Sequence, residues 1–153
     1  MPAVVQWYDA TNTKQENSWD IGIVDAGNVS SDKTFYIWNN RSGTAAVSDM
    51  QNCTITTKDS AGGNTGELVV NRWIEVKCDS MNETTFSQIG GTNTRPIQAG
   101  GGAGAGIIKG TANDGTVANA IPNYAKITIH ANVPSNATAG NFSFLTRVAY
   151  QVT

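Results

Sequence analysis

The feature that most constrains this chain is a period-2 alternation in its last thirty residues. From Asn123 onward, Ala125, Ile127, Ile129, Ala131 and Val133 fall on one side, and Lys126, Thr128, His130 and Asn132 on the other. After a connector of turn residues, Pro134 to Asn141, a second run puts Phe142, Phe144, Val148, Tyr150 and Val152 on one face and Ser143, Arg147, Gln151 and Thr153 on the other. Successive side chains of a strand point to opposite faces, so the pattern predicts two half-buried strands. Two strands cannot bury such faces alone, and the preceding residues have to supply an opposing sheet.

Read from the start, the chain offers further short strands. Ala3 to Asp9 and Trp19 to Val24 read as strands, separated by a polar loop and followed by the turn residues Asp25-Ala26-Gly27-Asn28. Lys33 to Asn39 places Phe35 and Ile37 on one face and Tyr36 and Trp38 on the other, so it is either a central strand covered twice or one with a face kept for a partner. Ala45 to Met50 has room for one helical turn at most. Gln51 to Asp59 reads as a strand with Cys53 and Ile55 inward and Thr54, Thr56 and Lys58 outward. A hairpin loop, Ser60 to Gly66, leads into a strand from Glu67 to Cys78 with Leu68, Val70, Ile74 and Val76 inward and Trp73 outward between Asn71 and Glu75. Thr84 to Ile89 is a further short strand. Gly90 to Gly106 reads as a long exposed loop that becomes ordered against a neighbouring molecule. Ile107-Ile108 and Thr116-Val117 flank Asn113-Asp114-Gly115, a hairpin signal.

The chain of 153 residues is read as one domain, 1–153, long enough to bury roughly 68–70% of its unfolded surface. Charged residues are 14% of it, while Thr (18), Asn (16), Gly (16) and Ser (10) abound. Thr suits a pleated surface and the others suit turns, which favours eight to ten short strands in a two-sheet all-β sandwich. A net charge of −2 with scattered Lys and Arg gives no reason to expect nucleic-acid binding. No apolar run has the length of a membrane span, and the first residues lack a signal peptide's pattern, so a leaderless protein made in a cytoplasm is expected. In that setting Cys53 and Cys78 read as reduced core thiols, although a bridge between facing sheets fits the same alternation.

No set of residues reads as an active site, and no cofactor is implied. The single histidine, His130, alternates onto the polar face and reads as a solvated surface residue. One His and two isolated Cys give no zinc spacing, and no calcium-loop motif surrounds Asp25, Asp32 or Asp114. The glycines at 100–106 follow no dinucleotide or phosphate-loop register. Glu67 and Glu75, eight residues apart on one expected strand, stand roughly 27 Å apart, too far for paired glycosidase carboxylates. The protein is therefore expected not to be an enzyme.

Phe35-Tyr36-Ile37-Trp38-Asn39-Asn40, Cys53 to Asp59, and Asn132-Val133-Pro134 through Gly140-Asn141-Phe142 resemble immunoglobulin-like antiparallel β-sandwich domains of bacterial and phage surface proteins. The whole chain looks like small structural proteins of tailed bacteriophages. That resemblance implies a virion component assembled in a host cytoplasm: a capsid decoration protein on the outer surface of the head, or a tail or baseplate accessory. The implied partner is the major capsid protein or another virion protein, with a homo-oligomer expected. Assembly gives a role to aromatics on the wrong face: Tyr36, Trp38, Trp73, Trp7 and Tyr8 are the candidate anchors, with packing inside the chain the alternative for Tyr36 and Trp38. A carbohydrate- or receptor-binding module with Trp73, Asn71 and Glu75 as its platform is the competing reading.

Overall fold

A computed structural model describes residues 1–152, so the polar-face position expected for Thr153 lies outside the described residues. Eight strands follow in order: β1 (Val5–Tyr8), β2 (Lys33–Asn39), β3 (Gln51–Asp59), β4 (Ile74–Cys78), β5 (Ser87–Ile89), β6 (Arg95–Pro96), β7 (Tyr124–Ala131) and β8 (Phe144–Gln151). They form two antiparallel sheets, one of five strands in the order β1-β2-β7-β4-β5 and one of three in the order β6-β3-β8. The fold is an all-β sandwich. Its two terminal strands, β7 and β8, belong to opposite sheets, which is how each finds the cover that it lacks alone.

The core is the space between the sheets. Phe35 and Ile37 of β2, Ile74 and Val76 of β4 and Ile127 and Ile129 of β7 face Cys53 and Ile55 of β3, with Phe144 and Val148 of β8 packed against them. Alternation dictates this: every second residue of each strand turns inward. Cys53 and Cys78 are both buried free thiols, and removal from water pushes the Cys53 thiol up to about 11.

The outer face of the large sheet is covered too. Tyr36, Trp38 and Tyr124 point away from the core and form a second apolar cluster with Ala120, roofed by the 3₁₀ turn Ile121–Asn123 and the chain before it. Trp38 is fully buried; its Nε1–H donates to Asn12 Oδ1 at 2.9 Å, and the Tyr124 hydroxyl donates to the Val117 carbonyl at 2.9 Å. Of the two expectations for β2, the central strand covered on both sides is the one the structure holds.

Four stretches depart from the sequence reading. Trp19 to Val24 forms no strand; it runs as an irregular strap with Ile23 fully exposed. Glu67–Val70 is a short helix, α1, rather than the start of a strand: Leu68 and Val69, adjacent in sequence, are both buried and Val70 faces solvent, a helical rather than an alternating pattern. Thr65 and Gly66 amides leading into α1 donate to the Asp59 carboxylate. Gly90 to Gly106 is not a loose loop, because it contains β6 and buries Ile97, Ala99 and Ala103 against the core. Gly90 itself sits where an added Cβ would lie 2.2 Å from the Val69 carbonyl oxygen, so only glycine lets the chain pass under the end of α1. Finally, no hairpin ladder joins 107–108 to 116–117: Ile108 bridges Met50, while Asn113 donates to the Asn40 carbonyl and Asp114 folds back onto Thr116 and Asn119.

Candidate interaction surface

The strand edges of the two sheets come together on one side of the sandwich, where β1 and β8 flank an opening crossed by residues 15–24. Trp19 ties this strap across the gap: its Nε1–H donates to Thr146 Oγ1 at 3.1 Å, and its ring packs edge-on against Phe35 at 6.2 Å and Phe144 at 5.8 Å. On one side of the strap lies a cleft of about 520 Å³ walled by Trp7, Trp19, Phe35 and Phe144, with Gln6, Gln15, Glu16 and Asn17 among its polar groups. On the other lies a cleft of about 590 Å³ walled by Trp19, Trp73, Phe142 and Phe144. The two share Trp19, Phe142 and Phe144, so they form one aromatic trough divided by the strap. Phe142, packed edge-on to Trp73 at 4.9 Å, is still 40% exposed at its rim.

The expected anchors separate on this surface. Trp7 lines the trough, half-buried and edge-on to Phe35 at 5.7 Å. Tyr8 is half-buried under the Arg41 guanidinium, 3.9 Å from its ring centre. Tyr36 and Trp38 are interior, spent on the second cluster. Trp73 is not outward either. It is 4% exposed because it stands in the chain between the turn at 71–72 and the start of β4, outside the strand's alternation, and packs into the core beside Phe142; among the described residues its Nε1–H has no hydrogen-bond partner. The platform of Trp73, Asn71 and Glu75 therefore does not exist as a surface. Sequence reasoning missed Trp19 and Phe142; both stood in stretches read as regular strands, whereas each lies in irregular chain beside the trough.

His130 keeps the face that its alternation gives it, but that face is covered there rather than solvated, and 7% of its surface is exposed. Its Nδ1 lies 2.9 Å from Asp32 Oδ1 and its Nε2 2.8 Å from Glu75 Oε1, and the ring stacks on Phe86 at 3.8 Å. Register explains the pairing, since His130 and Glu75 are direct cross-strand partners on the outer face of the large sheet. Both ring nitrogens are engaged, so the imidazole is a strut between segment 30–32 and β4 rather than a base open to a substrate. The trough's own titratable groups are Glu16 in the first cleft and Asp20 and Asp25 in the second. Among the described residues, no group of three His, Cys, Asp or Glu side chains is arranged to hold a metal ion.

The arrangement can thus offer aromatic surface bordered by amide and carboxylate side chains to a partner. Comparison with protein-family models, with curated proteins and with solved structures found no match to this chain.

Proposed function

We propose that this protein is a non-enzymatic virion structural protein that binds a repeated protein surface, in the first instance the outer surface of a bacteriophage head as a decoration protein. The observation that carries this reading is the aromatic trough at the open side of the sandwich, whose walls are Trp7, Trp19, Trp73, Phe142 and Phe144 and whose rim exposes Phe142. Aromatic side chains in a preformed recess are the kind of group that dominates protein interfaces. The groups best suited to chemistry lie elsewhere and are occupied: His130 between two carboxylates, Cys53 and Cys78 in the core. The resemblance carried by Phe35–Asn40 and Asn132–Phe142 to immunoglobulin-like phage domains supports the same reading.

Purified protein mixed with undecorated phage heads is expected to bind at a fixed stoichiometry, and Phe142→Ala is expected to weaken that binding while leaving the circular dichroism spectrum unchanged. Binding to isolated tails or baseplates instead would move the protein to the accessory role; binding to neither would end the proposal. One observation favours a second reading: the first cleft mixes Trp7 and Trp19 with Gln6, Gln15 and Asn17, a combination suited to sugar rings. A glycan-array signal abolished by Asn17→Ala, with no affinity for particles, would put the carbohydrate-binding module ahead.

A further inference from the structure

A sandwich of two open sheets has four edge strands, and three of them are blunted. β1 is four residues long, and its outer edge is already taken: the Glu16 amide donates to the Trp7 carbonyl at 2.8 Å, and Tyr8 bridges Gln15. β5 has three residues and β6 two, one of them Pro96, which has no amide to offer. β8 has eight residues, no proline, and a single neighbour, β3. Long unprotected edges are templates for strand pairing and are normally avoided.

The hydrogen-bond parity of this edge follows from β3. The Ile97 amide donates to the Cys53 carbonyl at 3.0 Å and the Gly91 amide to the Thr57 carbonyl at 2.8 Å, so past the register shift between Gln51 and Thr54 the odd-numbered residues of β3 turn their main-chain groups away from β8. Its even-numbered residues turn theirs toward β8, where Thr54, Thr56 and Lys58 stand opposite Ala149, Arg147 and Leu145. The N–H and C=O groups of Phe144, Thr146, Val148 and Tyr150 therefore point outward, and among the described residues no main-chain bond leads from them. Apolar side chains are exposed along this strand and at its two ends: Phe142, Leu145, Tyr150 and Val152 are each 40–47% exposed.

We infer that this edge pairs with the same edge of a second copy, β8 against β8 about a twofold axis, making one continuous sheet of six strands. A twofold axis normal to the sheet sets residues of equal parity opposite each other, so the centre falls on a single residue. A centre at Arg147 places two guanidinium groups opposite each other in a close pair, which is unfavourable. A centre at Val148 avoids that. The two Val148 residues exchange both main-chain bonds, Thr146 does so with Tyr150 of the other copy, and Leu145 comes to face Gln151. This register also extends to the pair Phe144 and Val152, so every free group of the edge is used. The other edges being blunted, the association closes at two copies instead of growing into a fibre. The inference does not depend on what the protein binds in a particle.

The test is sedimentation equilibrium of the full chain over a wide concentration range, combined with residue-resolved amide exchange. The wild-type protein is expected to be dimeric at high concentration. Tyr150→Pro removes an outward donor, once in each copy, without touching a bond to β3, and is expected to weaken dimerisation by roughly tenfold or more. In the wild type, amides of Thr146, Val148 and Tyr150 should gain protection as concentration rises, while those of Arg147 and Ala149, bonded to β3, stay protected at every dilution. A monomer at all concentrations, or uniform protection along β8 independent of concentration, would overturn the pairing. Dimerisation that Tyr150→Pro leaves intact, in a variant whose Arg147 and Ala149 amides remain protected, would place the interface elsewhere and overturn it as well.

Discussion

Two tryptophans illustrate how much a single polar atom decides. Both Trp38 and Trp73 are buried, but the Trp38 indole N–H reaches Asn12 Oδ1 whereas that of Trp73 has no partner among the described residues. A buried donor without a partner costs about 1–3 kcal/mol, so shortening Trp73 to Phe gives back some of what the lost ring volume costs, and shortening Trp38 does not. Trp38→Phe is therefore expected to be the more destabilising of the two by about 1 kcal/mol or more, as read from urea unfolding midpoints at constant slope. Asp114 gives a second residue-scale test. Hydrogen bonds from Asn119 and then Thr116 lower its pKa from the ordinary 3.8 to about 2. A depressed carboxylate contributes stability that is full above its unfolded value and disappears as pH falls through the folded one. The stability lost in Asp114→Asn should thus be constant above about pH 5, decline as pH falls through about 4 to 2 and vanish below that, measured as the difference between wild-type and variant denaturation curves across that window.

At the scale of elements, strands with unbroken alternation were legible and the segments between them were not. β2 and β3 begin and end where their patterns predict, Lys33–Asn39 and Gln51–Asp59, because both faces of each strand carry residues that fit. Glu67–Val70 misled because Leu-Val-Val satisfies a strand's preferences locally, and tertiary packing of adjacent Leu68 and Val69 under Gly90 overrode them. Glycine content misled over 90–106 for a related reason: composition signals freedom, but here glycine answers close approach. Gly90→Ala, with no positive φ to complicate it, is expected to cost about 1–3 kcal/mol by forcing α1 away from β5, and a thermal melt would register it. The trough was only partly readable. Trp7 belongs to it and was singled out, whereas its wall is completed by Trp19 and Phe142, more than a hundred positions apart in the chain and brought together by the strap across the opening.

For the whole molecule, the two apolar clusters share β2 and β7, one on either face of the same strands, so neither can be lost without the other. What holds the surrounding loops to this double-sided sheet is mostly uncharged. Asn39 donates to the Ser48 carbonyl, Asn40 to those of Ala45 and Gly110, Asn113 to that of Asn40, and Asn123 to those of Lys109 and Thr111. Set against these, among the described residues, are two Lys or Arg ion pairs, Arg95 with Glu83 and Lys109 with Asp49, each with a basic partner more than a third exposed. Amide-to-carbonyl bonds have no counterion cloud to lose, and exposed pairs contribute little to begin with. The melting temperature should accordingly change little between dilute buffer and molar sodium chloride, leaving a protein whose loops keep their shape in fresh water and in brine alike.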